Sequence, residues 1–244
     1  MPDRPVLVVG ATGATGRRLV ARLLEQDRPI RALVRSPNAA AACLPPAVAL
    51  VAGNVRDAAA VQRAMSGVGT VVSTLGSRRY YGPNGMEAVD YLGNARLARC
   101  AADEGVDHFV LMSAFGLDRK SPFLTAFSAV LNRYFHYKAL AEASVRDSGV
   151  PFTFVRPLEL RDRPAYGRVA LNQDQPLGLL RTVSRDLVAD ALAACVDEPR
   201  TLGAVFEVFE TDDAPPLPEQ LDTLHQDGQL HLANPWTPLF PSGA

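Results

Sequence analysis

Short runs of aliphatic and β-branched residues alternate along the chain with longer segments whose apolar residues recur every three or four positions. The short runs predict strands, which we assign to residues 6–9, 30–34, 49–52, 70–75, 109–113, 152–155 and 205–209. The periodic segments predict helices, which we assign to residues 14–26, 57–65, 86–104, 126–148 and 184–196. Strands separated by helices of this length imply right-handed crossovers and a parallel sheet covered on both faces. The predicted fold class is therefore α/β, a doubly wound parallel sheet.

The chain of 244 residues shows no internal repeat and no linker, so we predict a single domain over 1–244. Two segments fall outside the strand–helix alternation. Residues 157–183 follow the sixth strand and should line the substrate side of the sheet, and we expect residues 76–85 and 114–125 to wall the substrate cleft with them. Residues 211–244 are rich in proline and acidic residues, and we expect them to form an irregular segment.

Composition narrows the possible partners. The net charge is −1 and the mean hydropathy is +0.02, which gives no reason to expect nucleic acid or an anionic membrane as a partner. The N-terminus is polar, no apolar run is long enough to span a bilayer, and the three cysteines are widely spaced, so we expect a cytoplasmic protein. No histidine or cysteine spacing indicates a metal site. Residues 1–35 contain seven arginines and only three acidic residues, and this local positive charge favours a ligand rich in phosphate.

A glycine-rich turn joins the first predicted strand to the first helix, in the sequence PVLVVGATGATGRRLV. Gly10 permits the turn out of the strand, Gly13 lets the backbone approach a pyrophosphate, and Gly16 lets the helix pack closely on the sheet. Free N–H groups and the positive end of the helix dipole favour an anion there. We therefore predict a dinucleotide phosphate site formed by Gly10, Thr12, Gly13, Ala14, Thr15 and Gly16.

The GxxGxxG spacing resembles the short-chain dehydrogenase/reductase superfamily, and the GATGxxG form is similar to its atypical, NmrA-like branch. Further motifs follow in the family's order: RALVRSP, AGNVRD, VVSTLGS, DYLGNARLARCAADEGVDHFVLMSAFG and SGVPFTFVRP. The resemblance covers roughly residues 5–210. It implies a Rossmann-type fold with a small C-terminal substrate-binding region, and coenzyme contacts from Asn54 and Val55 and from Thr74, Leu75 and Gly76. The family commonly has an aspartate where this chain has Asn54.

The end of the second predicted strand bears on the choice of coenzyme. NAD-specific proteins usually place an acidic residue there to bind the adenosine ribose, but residues 33–37 contain none. Arg35 offers a guanidinium suited to a 2′-phosphate, and Ser36 adds a hydroxyl group. We therefore predict that NADP is preferred over NAD.

The resemblance also implies a catalytic group of serine, tyrosine and lysine, in which the tyrosine and lysine lie four residues apart on one helix face. Tyr134 and Lys138 have this spacing, and Ser113 ends the fifth predicted strand. Lys138 is one of only two lysines beside 23 arginines, which suggests that an ammonium group is required there. We therefore predict that Lys138 also contacts the coenzyme. Tyr137 and His136 remain alternatives to Tyr134 as the proton donor. We interpret His108 as a surface residue.

These features together favour an NADPH-dependent reductase of a small or medium-sized carbonyl or enone. Two alternatives stay open, a non-catalytic NADP-binding regulator and a redox-neutral epimerase or dehydratase that uses bound NAD(P). The partner expected from either catalytic hypothesis is a small-molecule substrate. The sequence leaves the substrate and the oligomeric state open.

Overall fold

The computed structural model describes residues 4–117, 129–174 and 181–226, and for 129–132 it describes the backbone alone. An eight-stranded sheet forms the centre, in the order β3-β2-β1-β4-β5-β6-β10-β8. All neighbouring strands are parallel except β8, which runs antiparallel to β10, and β7 pairs with β9 in a small separate sheet. The strands are β1 Val6–Val9, β2 Ile30–Val34, β3 Ala49–Ala52, β4 Thr70–Ser73, β5 His108–Met112, β6 Phe152–Pro157, β7 Glu159–Arg161, β8 Arg168–Asn172, β9 Thr182–Ser184 and β10 Val205–Thr211.

Helices cover both faces of the sheet, because side chains of each buried strand alternate between two hydrophobic clusters. The helices are α1 Ala14–Glu25, α2 Pro37–Ala41, α3 Ala58–Met65, α4 Leu92–Asp103, α5 Ala129–Asp147, α6 Arg185–Ala194 and α7 Leu217–Leu221. Val6 and Val8 of β1 belong to the cluster covered by α1 and α6, whereas Leu7 and Val9 belong to the cluster covered by α3, α4 and α5. Among the described residues no helix is both long and apolar enough to cross a membrane.

The doubly wound parallel sheet predicted from the sequence is confirmed, with each of the seven predicted strands present. The first six strands adopt the order of dinucleotide-binding folds, and the order reverses between β1 and β4. That reversal opens a crevice at the carboxyl ends of the strands, where ligands of such sheets bind.

Several local expectations were incomplete. The segment 157–183 contains β7, β8 and the start of β9, and the three-residue strands β7 and β9 are too short to show a periodic pattern. The predicted helix 86–104 begins with a π-helix, Glu87–Tyr91, before α4. The segment 211–244, expected to be irregular, contains the short helix α7, whose Leu221 packs into the protein. Its residues beyond 226 lie outside the described chain.

The interpretation of His108 as a surface residue was wrong. His108 begins β5, is 3% exposed, and its Nε2 lies 2.7 Å from Thr153 Oγ1 on the neighbouring strand β6. The residue stands one position before the apolar run, so the sequence pattern did not show that the strand had already entered the core.

Candidate active site

The glycine-rich turn between β1 and α1 has the close contacts that its sequence predicts. Gly10 has a φ of +90°, and a Cβ atom on it would lie 2.7 Å from Thr74 Oγ1 at the end of β4. A Cβ atom on Gly16 would lie 2.2 Å from the Gly10 carbonyl oxygen, so the helix packs directly against the turn. No side chain caps α1 and no acidic residue lies in its first turn. The N–H groups of that turn are therefore available to an anion.

A cleft of about 410 Å³ opens beside this turn, at the carboxyl ends of β1, β2, β3 and β4. Most of the predicted coenzyme contacts line it: Gly10, Thr12, Gly13, Arg35, Asn54, Val55, Thr74, Leu75 and Gly76. The cleft is also lined by four residues that we did not predict as coenzyme contacts: Ser77, Arg78, Arg79 and Asn84. Ser77 is the last residue of the VVSTLGS motif, and Arg78 and Arg79 directly follow it. We refer to this space as the coenzyme cleft.

Five predicted coenzyme residues do not line the cleft: Lys138, which is described below, and Ala14, Thr15, Gly16 and Ser36, which lie behind its wall. Ala14 and Gly16 belong to the first turn of α1, and the Thr15 hydroxyl accepts a hydrogen bond of 3.2 Å from Arg185. The Ser36 hydroxyl accepts a hydrogen bond from the backbone N–H of Ala39 and caps α2. This cap partly occupies the hydroxyl that we expected to bind a 2′-phosphate.

Two cleft residues bear on recognition of the adenosine end. Arg35 is exposed and forms no ion pair with any described residue, so its guanidinium is available to a ligand anion. Asn54 Oδ1 accepts a hydrogen bond of 3.0 Å from the backbone N–H of Arg56, and this turn places Asn54 at the cleft wall. A glycine cradle, a helix N-terminus and an unpaired arginine together fit a phosphorylated dinucleotide.

Lys138 lies immediately behind the cleft wall on α5. Its ammonium donates to the carbonyl oxygen of Leu75 at 3.0 Å and lies 3.1 Å from Asp90 Oδ1. Burial is the largest single effect and lowers the pKa of Lys138. The charge and hydrogen bond of Asp90, together with Tyr134 and Glu142, oppose burial, and their combined effect raises the pKa above its ordinary value. An ammonium has three donors, so one N–H remains beyond these two partners.

Asp90 was missed in the sequence although it holds this lysine in place. It lies in the π-helix Glu87–Tyr91, is fully buried, and its Oδ2 accepts a hydrogen bond of 2.8 Å from the Ser77 backbone N–H. One carboxylate thus contacts both the lysine and the loop that walls the coenzyme cleft. A π-helix within an α-helical segment often marks a functional site, and this was the signal available once the structure was known.

A second pocket, of about 280 Å³, opens at the carboxyl ends of β5 and β6, and we call it the substrate pocket. Ser113 and Tyr134 both line it, so the structure brings together two of the three predicted catalytic residues. Ser113 is 2% exposed, and within the described chain its hydroxyl has no hydrogen-bond partner. The Tyr134 ring is half-buried, with its centroid 5.8 Å from the Lys138 ammonium.

Tyr137, the alternative proton donor, faces elsewhere. Its hydroxyl lies 3.4 Å from a Glu87 carboxylate oxygen and 3.5 Å from an Arg133 nitrogen, and Tyr137 does not line the substrate pocket. His136 also lies outside the pocket lining.

Of the segments expected to wall the substrate cleft, residues 114–115 and 158–160 line the substrate pocket. Residues 77–79 and 84 line the coenzyme cleft instead, and 118–125 lie outside the described chain.

Comparison with known proteins agrees with this geometry. Residues 10–199 match the NAD(P)H-binding family. A protein of Bacillus subtilis named as the uncharacterized sugar epimerase YhfK is 31% identical over 223 residues, which cover 90% of this chain and 99% of that protein. A Streptomyces griseus enzyme, (4-alkanoyl-5-oxo-2,5-dihydrofuran-3-yl)methyl phosphate reductase, is 34% identical over 200 residues, or 82% of this chain and 61% of the enzyme.

A solved structure of an Escherichia coli O157:H7 protein, described as the anaerobillin reductase ChuY, superimposes with a TM-score of 0.72. It is 26% identical in sequence, and the match covers 87% of this chain and all of that one. The resemblance to the atypical branch of the short-chain dehydrogenase/reductase superfamily is thereby confirmed. The chain belongs to the NAD(P)H-binding family of Rossmann-fold oxidoreductases.

Proposed function

We propose that this protein is an NADPH-dependent reductase of a small or medium-sized carbonyl or enone. The observation that carries the proposal is the buried hydroxyl of Ser113, which lacks a partner in the described chain and lines one pocket with Tyr134. A buried hydroxyl without a partner costs about 1–3 kcal/mol, so its retention favours a ligand atom as the missing partner. Two relatives named as reductases support the same reaction class.

The proposed roles follow from where each side chain lies. NADPH, when bound in the coenzyme cleft, supplies the hydride. Ser113 donates a hydrogen bond to the substrate oxygen, and Tyr134 donates the proton that this oxygen gains. Lys138 stays protonated because the Asp90 carboxylate compensates its charge. Its third N–H remains available to interact with Tyr134 or with the bound coenzyme.

We further propose that NADP is preferred over NAD. The support is Arg35 at the end of β2, which forms no ion pair with any described residue, and the absence of an acidic residue among residues 33–37. Arg78 and Arg79 line the same cleft and add positive charge to it. A guanidinium binds a phosphate by two parallel hydrogen bonds, which a ribose hydroxyl cannot reproduce.

The test is oxidation of NADPH in the presence of a panel of aldehydes, ketones and enones. Tyr134→Phe should lower kcat at least about a hundredfold, in keeping with loss of a general acid, while NADPH still binds. Tyr137→Phe is the matched control and should retain activity because its hydroxyl faces Glu87. Equal activity of wild type and Tyr134→Phe on every reducible substrate would overturn the assigned role.

One relative favours a second reaction. The Bacillus subtilis protein, named as a sugar epimerase, supports a redox-neutral reaction in which a hydride passes from the substrate to bound NAD(P)⁺ and then returns to the substrate. This alternative predicts substrate conversion with no net consumption of NADPH. Incubation with stereospecifically deuterated NADPH separates the two reactions, because only net reduction gives deuterated product in proportion to coenzyme consumed.

A further inference from the structure

The residues that line the substrate pocket, besides the proposed catalytic ones, indicate the kind of molecule that it binds. Seven of its eleven lining residues are apolar, among them Phe115, Phe135 and Leu158. The remaining four are Ser113, Tyr134, Glu159 and Arg181. The walls thus suit an apolar molecular body, and Glu159 and Arg181 are the residues of the lining that carry full charges at neutral pH.

Arg181 is held over an aromatic ring. It directly precedes β9, and its guanidinium carbon lies 4.5 Å from the ring centroid of Phe209 on β10. Stacking a planar guanidinium on a ring favours a fixed orientation and leaves its N–H edge free to bind a carboxylate or a phosphate. Arg181 itself is exposed, so a ligand can reach it.

The charges around Arg181 are already paired with one another. Within the described chain no carboxylate lies within ion-pair distance of Arg181, whereas three nearby arginines each have one. The pairs are Arg161 with Glu159 at 2.8 Å, Arg163 with Glu210 at 3.0 Å, and Arg185 with Asp162 at 3.0 Å. Because Arg161 neutralises the one acidic residue of the pocket lining, the positive charge of Arg181 remains uncompensated there.

We propose that Arg181 forms an anion subsite and that the substrate is an apolar carbonyl compound bearing a carboxylate or phosphate group. This inference rests on the proposed function, because it assigns Ser113 and Tyr134 to the reacting carbonyl and Arg181 to the opposite, charged part of the same molecule. Carboxylate and phosphate both match the guanidinium edge, so the shared chemistry is an anionic oxygen group.

Three probes distinguish the possibilities: para-carboxycinnamaldehyde, its methyl ester, and the para-phosphonooxy analogue. Each is measured with wild type, Arg181→Gln and Arg168→Gln. Arg168 is the matched control because it is an exposed arginine outside the pocket lining, so its replacement removes the same charge.

We expect Arg181→Gln to raise KM for the anionic probe that the pocket prefers by about tenfold or more, the scale of a lost charge-assisted hydrogen bond. The KM for the methyl ester should change less than twofold, and Arg168→Gln should change neither value. An equal effect of Arg181→Gln on acid and ester, or no effect on either anion, would overturn the subsite.

Equilibrium binding keeps the inference testable if none of the probes is reduced. Calorimetric titration of the same three compounds into the NADP-bound protein should show tighter binding of an anionic probe than of the ester, lost in Arg181→Gln. That result without turnover would reject the proposed reduction and retain the subsite. Turnover of acid and ester with equal KM values would retain the reduction and reject the subsite.

Discussion

The Lys138 ammonium lies 3.1 Å from Asp90 Oδ1, and the two side chains are 2% and 1% exposed. Burying either charge alone would cost free energy, so each residue can be buried in its charged form only because the other lies beside it. The pair also joins two parts of the site, since Lys138 donates to Leu75 and Asp90 accepts from Ser77, and both partners line the coenzyme cleft. The geometry of this cleft wall therefore depends on a buried ion pair contributed by α5 and the π-helix.

Replacing Asp90 by asparagine should destabilise the fold strongly. The change leaves a buried ammonium without its counter-charge, and breaking a buried pair in this way costs about 3–5 kcal/mol. Adding Lys138→Met should recover part of the loss, because the double variant no longer buries a charge. Urea unfolding of the wild type, both single variants and the double variant measures this coupling.

Glu142→Gln is the control for that cycle. Glu142 lies one turn after Lys138 on α5 and is bound by Arg156 through two hydrogen bonds of 2.9 and 2.7 Å. Its replacement should also destabilise the protein, but it should couple to Lys138→Met much less than Asp90→Asn does. Equal coupling would contradict the assignment of Asp90 as the principal counter-charge.

The same ion pair predicts a loss of stability at alkaline pH. The pKa of Lys138 is raised in the folded protein above its ordinary value of 10.5. The folded state therefore holds this proton more tightly than the unfolded state, and the resulting stability is fully present below pH 10.5. It is lost as the pH rises through the folded pKa. Unfolding free energies of wild type and Lys138→Met are measured from pH 8 upward (about the range of a lysine titration). Below pH 10.5 the two proteins should lose stability with pH at the same rate, and above it the wild type should lose stability faster.

Arg35 provides a prediction on coenzyme choice. Arg35→Gln removes the exposed guanidinium at the cleft and should weaken NADPH binding about ten- to a hundredfold, the scale of a lost charge-assisted contact. Binding of NADH should change little, because NADH lacks the 2′-phosphate. Fluorescence titration with both coenzymes measures the ratio. Arg63→Gln on the exposed surface of α3 is the control, and an equal loss for both coenzymes would contradict the prediction.

Much of the candidate coenzyme site could be predicted because its geometry depends on short-range contacts. Gly10 and Gly16 are required by contacts within a few residues of the turn and with the neighbouring strand, so a local motif identifies them. Arg35 and Asn54 could be predicted because they lie just after β2 and β3, and ligands of parallel sheets bind at the carboxyl ends of the strands. The strand order then places these separate positions around one cleft.

The buried partner of Lys138 could not be predicted in the same way. Asp90 is 48 positions from Lys138 in the chain, and within a helix an aspartate is ordinarily a solvent-exposed residue. Likewise, nothing in the sequence shows that Arg163 pairs with Glu210, whereas Arg181 has no ion-pair partner among the described residues. The pair of Arg163 and Glu210 depends on how the segment after β7 packs against β10, which the local sequence pattern does not show.

His108 gives a prediction at acidic pH. Burial lowers the pKa of His108 to about 4, against the opposing effect of a hydrogen bond with the Cys195 backbone. The unfolded chain, with an ordinary pKa of 6.5, therefore binds more protons than the folded protein between pH 6.5 and about 4, and stability falls as the pH falls through this window. From pH 7 to pH 5 this one group should remove about 2 kcal/mol of unfolding free energy.

His108→Gln should retain a polar contact with Thr153 while abolishing this titration. Urea unfolding at a series of pH values should then show a shallower loss of stability for the variant than for the wild type across the acidic window. His225→Gln is the matched comparison, because it makes the same replacement at a largely exposed histidine outside the core. Parallel profiles for wild type and His108→Gln would mean that His108 is protonated as readily in the folded protein as in the unfolded chain. The buried contact with Thr153 would then not be that of a neutral imidazole.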